Sequence, residues 1–215
     1  MDTLDYARET GPRGVTGDLT AGTAADTFGD TDTLRLTSYR YDYNAPNGAP
    51  TYGSDNGPFE NVKLTRHDDV ATGNDAANRL YGFQGNDILR GAGGDDTLVG
   101  GHGQDSLTGG AGADGFGLHS DKAPPLGTPD TINDFATGTD TIDLRGLLST
   151  GDQPLKRADA ADLDAGFTRV AGQVRYADGR LTADIDGDGT ADFEVIVHSA
   201  SNTAAQLAAG DVLFG

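Results

Sequence analysis

The sequence predicts an all-β chain built on a parallel solenoid, and three observations predict it. Asp69, Asn78, Asp87, Asp96, Asp105 and Asp114 stand nine residues apart with no break in register. Ala71, Leu80, Leu89, Leu98, Leu107 and Phe116 follow two places after each, while Gly73, Gly82, Gly91, Gly100 and Gly109 open the successive units. The unit therefore reads G-x-x-G-x-D-x-L-x, a fixed period in which no unit buries its apolar residue alone and stacking on neighbours makes the core. Beyond the repeat, strand-like runs at 173–176, 181–185 and 192–198, separated by short turns, predict an antiparallel sheet that closes the fold.

Along the chain, residues 1 to 40 carry short apolar steps at Leu4, Val15, Leu19, Phe28, Leu34 and Leu36 and read as short strands joined by glycine turns. From Leu34 to Tyr43 the residues alternate, which places Tyr39, Tyr41 and Tyr43 on one face of an extended segment. The Pro-, Gly- and Asn-rich stretch 44–58 reads as a long surface loop. The register extends back to Glu60 and Val62, so the repeat strands start there. After Phe116 the period stops, and 119–130 is a proline-interrupted connection. Residues 130–148 then alternate aliphatic and polar side chains around turn signals at Gly138 and Asp140. One short helix is predicted at 202–210, between a capping Asn202 and a stopping Gly210. Three segments result: an entry segment 1–59, a repeat 60–118 and a β domain 119–215.

Composition narrows the function. Hydrophobic residues make up 35% of the 215, and 33 glycines fill the place of true core formers. A formal net charge of −19 on so lean a core puts the cation-free chain near the disordered class. Nucleic acid is excluded as a partner, because phosphates need clusters of Lys and Arg that this surface lacks. The absence of cysteine removes disulfides, thiolate metal sites and a cysteine nucleophile, so a bound metal must be a hard one held by oxygen. No run is apolar enough to span a membrane, and the first residues, MDTLDYARETG, lack the basic and apolar stretches of a secretory leader.

The repeat supplies what such a metal needs. Glycines at the first and fourth positions are expected to let the backbone turn through positive φ and bring carbonyls toward one point, beside the position-six carboxylate. Six to eight oxygens at about 2.3–2.6 Å are what Ca²⁺ takes. With two units per coil, turns eighteen residues apart stack, so Asp87 lies over Asp105 and Asp96 over Asp114. Carboxylates stacked about 4.8 Å apart repel unless a cation lies between them. Several calcium ions and the fold are then gained together. The segment 110–115 also matches a dinucleotide fingerprint, but Pro124 and Pro125 leave no room for its helix, and the match is a by-product of the repeat.

The unit resembles the nonapeptide of the RTX (hemolysin-type calcium-binding repeat) family, most closely at GGHGQDSLT, 100–108. GADGFGL with DTINDFATGTDTIDLRGL and DIDGDGTADFEVIV is similar to the region after the β-roll in serralysin-type secreted metalloproteases. The resemblance implies a parallel β-roll with calcium in the turns, followed by an antiparallel β cap. The implied ligands are Asp87, Asp96, Asp105 and Asp114 with Gly82, Gly85, Gly91, Gly94, Gly100, Gly103, Gly109 and Gly112. Asp69 and Asn78 make weaker sites, since Asn78 offers a neutral amide and Ala76 replaces a position-four glycine. It also implies an extracellular protein exported through a type I secretion apparatus that reads the final DVLFG, with folding on calcium after export.

Asp184, Asp186, Asp188, Gly189 and Asp192 match positions one, three, five, six and nine of an EF-hand loop, but position twelve is Val195 and strands flank it. A satisfied hairpin turn and a metal site remain alternatives there. A metalloprotease would need H-E-x-x-H, which His67, His102, His119 and His198 do not form. The chain is therefore expected to be non-catalytic, with any catalysis in a missing upstream part of a protease or other hydrolase. A cognate catalytic domain, or a carbohydrate on the tyrosine face at 39–43, are the further candidate partners.

Overall fold

A computed structural model describes residues 61–118, 128–147, 155–156, 166–208 and 210–214 in full. Outside these it describes the backbone of eight short strands: Thr3–Asp5, Val15–Asp18, Thr23–Asp26, Thr31–Asp32, Tyr39–Arg40, Thr51–Tyr52, Leu148–Ser149 and Gln153–Pro154, with Arg157 completing a further strand from Lys156. Short strands at the amino-terminal end are as expected. Tyr39–Arg40 pairs antiparallel with Thr51–Tyr52, so a paired strand sits within the stretch read as loop. Tyr41, Tyr43 and the side chain of Tyr39 lie outside the described residues.

The repeat winds between two sheets. Asn61–Lys63, Arg79–Gln84, Thr97–His102 and Gly115–Gly117 stack parallel in a seven-stranded sheet, and Val70–Thr72, Ile88–Gly93 and Ser106–Ala111 stack parallel in an eleven-stranded one. Each nine-residue unit thus crosses from one sheet to the other, as its buried position-eight residue requires. Leu98 lies in register with Leu80 and Phe116, and Leu89 with Ala71 and Leu107. The position-eight leucines and Phe116 are fully buried. Each such side chain is worth roughly 1.5–3 kcal/mol of burial, available only once the next coil covers it.

Both sheets run on past the end of the sequence period. Asp130–Ile132 lies parallel to Ser106–Ala111, with Ile132 on Leu107, and Thr141–Asp143 lies parallel to Gly115–Gly117, with Ile142 on Phe116. Phe193–Val197 and Val212–Leu213 add parallel to these. Gln173–Ala177, Arg180–Asp184 and Phe193–Val197 then form the antiparallel cap. The fold is an all-β parallel roll closed by an antiparallel cap, sharing one apolar core from Val62 to Ala205.

The predicted helix at 202–210 does not form, and among the described residues there is no helix. Asn202 sits in the left-handed region at φ 54°, which turns the chain instead of capping a helix. Ala204 makes a bridge with His198, and the Ala208 amide is claimed by the Asp211 carboxylate. These pairings outcompete an alanine-rich segment too short to hold helical structure alone.

Candidate metal centre

The turns between the sheets form two edges. Asp69, Asp87 and Asp105 lie on one, Asn78, Asp96 and Asp114 on the other. Along each edge a position-six carboxylate accepts from the backbone N–H of its counterpart in the previous coil. Asp69 N–H donates to Asp87 Oδ1 at 2.8 Å and Asp87 N–H to Asp105 Oδ1 at 2.8 Å. Asn78 N–H donates to Asp96 Oδ1 at 2.7 Å and Asp96 N–H to Asp114 Oδ1 at 2.9 Å. A second series runs the other way at position five. There the Asp68, Asn86 and Asp95 side chains accept from Asn86, Gln104 and Ala113 N–H in the following coil.

The rungs use only half of each carboxylate. Oδ2 of Asp87, Asp96, Asp105 and Asp114 is buried with no hydrogen-bond partner. A buried anionic oxygen left unmet is costly, and its cost is visible in proton affinity. Burial, opposed by the Asp69 amide and reinforced by the charges of Asp105, Asp69 and Asp68, pushes Asp87 up to about 8. Burial likewise takes Asp96 to about 7 and Asp105 to about 6, and raises Asp114. Four oxygens that hold a proton so tightly, two on each edge, ask for a cation.

The glycines make the space, though not as the sequence reading assigned it. The first-position glycines do not take positive φ; they lack a Cβ where the carboxylate must lie. A Cβ on Gly82 would fall 2.2 Å from Asp87 Oδ2 and 2.5 Å from the Gly100 carbonyl oxygen. On Gly91 it would fall 2.1 Å from Asp96 Oδ2 and 2.5 Å from the Gly109 carbonyl. Each such hollow therefore faces a carboxylate oxygen and a carbonyl of the next coil. Positive φ belongs to positions two and four, at Phe83, Ala92, Gly101 and Gly110 and at Gly85, Gly94, Gly103 and Gly112. Phe83, at φ 75° and partly exposed, holds a strained backbone that glycine would relieve. Phe83→Gly is expected to stabilise the calcium-loaded chain by about 1 kcal/mol, read as a higher melting temperature; a lower one would mean that the ring packing outweighs the strain.

Further side chains continue the ladder at both ends. At the start, Asp69 accepts from Thr65, whose N–H reaches Oδ2 at 2.8 Å and whose hydroxyl lies 2.8 and 3.0 Å from the two oxygens. Asn78 Oδ1 accepts Asn74 N–H at 2.8 Å. At the far end stand two rungs that the nine-residue period could not reveal. Asp130 Oδ1 accepts Asp105 N–H at 2.9 Å, and Asp140 Oδ1 accepts Asp114 N–H at 3.0 Å, across offsets of 25 and 26 residues where the repeat has 18. Asp140 Oδ2 takes Ala136 N–H. Asp134 meets the Gly109 and Gly110 amides with its two oxygens.

The whole arrangement, glycine hollows with a carboxylate rung per coil and a cap beyond, has a counterpart among known families. Residues 28–209 match the model of the peptidase M10 serralysin C-terminal family. The chain belongs to that family. The solution structure of the AlgE6R3 subunit from the Azotobacter vinelandii mannuronan C5-epimerase is 30% identical to this serralysin C-terminal chain, covering 68% of it and 78% of the subunit at a TM-score of 0.49. The AlgE6R2 subunit of the same epimerase is 30% identical over 67% of this chain and 90% of its own, at a TM-score of 0.41. The comparison with curated proteins returned no significant match.

In this serralysin C-terminal chain the acidic turn after Arg180–Asp184 is a different kind of place. Asp184, Asp186 and Asp188 bring one carboxylate oxygen each within 4.8 Å of one another. Their oxygens serve the turn itself: Asp184 accepts Gly187 and Gly189 N–H, Asp186 accepts Asp188 N–H, and Asp188 accepts the Thr190 N–H and hydroxyl. Asp192 Oδ2 accepts Ile185 and Asp186 N–H. The Thr190 bonds hold Asp188 below the usual carboxylate range, and Arg169 adds its positive charge. Arg169 also lies against Gly189, where a Cβ would meet its Cγ at 2.9 Å.

Proposed function

We propose that this chain is the calcium-binding β-roll module of a secreted extracellular protein, folding on calcium after export and performing no catalysis itself. The observation that carries the reading is the set of four buried, unpartnered Oδ2 atoms on Asp87, Asp96, Asp105 and Asp114. With carbonyls such as those of Gly100 and Gly109 converging on the same hollows, the donors are all oxygen and suit Ca²⁺ better than the stricter octahedron of Mg²⁺. Bound calcium would neutralise the stacked carboxylates and so tie successive coils together. Asp69 and Asn78 would be weak or empty sites, because their oxygens already have protein donors.

Export fits the same chemistry. A chain that stays unfolded at low cytosolic calcium, and folds where calcium reaches roughly 10⁻⁴–10⁻³ M, passes a narrow type I secretion channel unhindered. A catalytic domain elsewhere in the same protein is the natural cargo for a non-catalytic module of a peptidase family.

Calorimetric titration of the whole chain with Ca²⁺, with Mg²⁺ as the control, tests the site reading. Heat from several sites with Ca²⁺ alone, weakened by Asp96→Asn with Asp114→Asn, is expected; no heat, or equal heat with Mg²⁺, would sink it. The pH dependence is a second check. Asp87, Asp96 and Asp105 have folded values of about 8, 7 and 6, above the unfolded carboxylate, so their protons favour the metal-free fold at low pH and are lost as pH rises through those values. Calcium must displace them. Apparent affinity should rise, and proton release per ion fall, between pH 6 and pH 8.5; an affinity flat across that window would contradict it.

A further inference from the structure

One strand of the roll presents its largest side chains to solvent. In Arg79–Gln84, Leu80 and Gly82 are buried, so Arg79, Tyr81 and Phe83 face outward in a row, roughly 6.8 Å from one to the next. Phe83 is 39% exposed and is held at φ 75°, where a side chain costs stability and glycine does not. Gly101, its partner in register one coil on, has no side chain at all. The Phe83 ring therefore neither fills the core nor eases its turn, which leaves contact with another molecule as its use.

The surroundings narrow the kind of molecule. The outward neighbours in register are Asn61 and Lys63 on one side and Thr97, Val99 and Gly101 on the other, none of them acidic. The preceding coil runs beside the far end of the row. Leu64 N–H donates to the Tyr81 carbonyl, and a Cβ on Gly85 would fall 2.4 Å from the His67 carbonyl, which puts Arg66 next to Phe83 and Gln84. Arg66 and Arg79 are exposed and have no ion-pair partner among the described residues. On a chain of net charge −19, an acid-free strip thus carries two aromatic rings with an unpaired guanidinium at each end.

A guanidinium fork takes a carboxylate in two parallel bonds, and an aromatic face takes the apolar C–H face of a pyranose ring. An acidic peptide fits less well. The strand is interior, paired on both sides with Asn61–Lys63 and Thr97–His102, so it has no free backbone edge on which a peptide can add as a further strand. Single-stranded nucleic acid also stacks on rings, but it needs a cationic groove along its phosphates, which two arginines do not make. We propose that the outward face of the strand Arg79–Gln84, with Arg66, binds a short acidic oligosaccharide, Tyr81 and Phe83 stacking on its sugars and the arginines taking its carboxylates. The place differs from the tyrosines at 39–43, and the proposal shares with the calcium reading only the folded roll.

Titration of the calcium-loaded whole chain with trigalacturonate, followed through its amide resonances, tests this. Shifts are expected at 79–84 and 97–102, with affinity falling about tenfold in Phe83→Gly and about fivefold in Arg79→Gln. Salt should weaken binding to the parent more than to Arg79→Gln, and uncharged maltotriose should bind about tenfold more weakly than trigalacturonate. Phe83→Gly is the decisive arm, because relief of its backbone should raise the melting temperature, so that binding lost there is not folding lost. Parent affinity in Phe83→Gly, no shifts at 79–84, or equally tight binding of a hexaglutamate peptide would overturn the proposal. So would shifts confined to the turns of Asp87, Asp96, Asp105 and Asp114, which would mean that the sugar only withdraws calcium. Each of these leaves the calcium reading standing.

Discussion

In chelator at pH 8 the chain is expected to give the far-ultraviolet spectrum of an unfolded protein, and millimolar Ca²⁺ to restore β-structure. The reason is local before it is global. Each Oδ2 of Asp87, Asp96, Asp105 and Asp114 is buried and unmatched, and a buried charge without its partner costs about 3–5 kcal/mol. Two such losses match the whole stability of an ordinary domain, about 5–15 kcal/mol. The chain's net charge of −19 adds repulsion between coils. Lowering the pH to about 5 in chelator should return part of the signal, since Asp87, Asp96 and Asp105 then carry protons. Circular dichroism under the three conditions is enough, and cooperative melting in chelator at pH 8, as sharp as with calcium, would refute the expectation.

Gly91→Ala is expected to be strongly damaging to the roll. Its Cβ would stand 2.1 Å from Asp96 Oδ2 and 2.5 Å from the Gly109 carbonyl, a backbone atom fixed by the next coil. Relief requires the coils to part, at a cost of about 3 kcal/mol or more, and the hollow is lost to any ion. Gly115→Ala is the matched control. Gly115 lies in a strand, and a Cβ there would meet its nearest atoms at an ordinary 3.7 Å. The change should be neutral within about 0.5 kcal/mol or slightly stabilising. Thermal melts at fixed calcium separate the two, and equal melting temperatures would show that the hollow at Gly91 does not govern stability.

How much of this was legible in the chain depends on what sets each feature. The roll was, because Leu89, Leu98 and Leu107 can be buried only by coils in strict register, and register writes itself as a period. Asp87 to Asp114 were legible for the same reason. Asp130 and Asp140 were not: longer connections carry the chain to the same spatial rungs, and spacing cannot see across them. The role of the first-position glycines was misread because a missing Cβ and a positive φ leave the same letter in the sequence. Only the hollow against Asp87 and Asp96 tells them apart. The helix at 202–210 failed because alanine propensity is weak beside the claims that Ala204 and Ala208 meet from His198 and Asp211.

The two opposed side-chain series also fix how such a chain can grow. Position six reaches back one coil, and position five, where it carries Asp68, Asn86 or Asp95, reaches forward one, so coils are keyed to their neighbours on their own edge. Gain or loss of nine residues would shift all later turns to the opposite edge. There the Asp105 edge would be asked to meet Asp140, and the Asp114 edge Asp130. Tandem duplication can therefore lengthen the roll without penalty only in steps of eighteen residues, and the tolerant place for odd lengths is the junction after Leu118, where the offsets already change to 25 and 26.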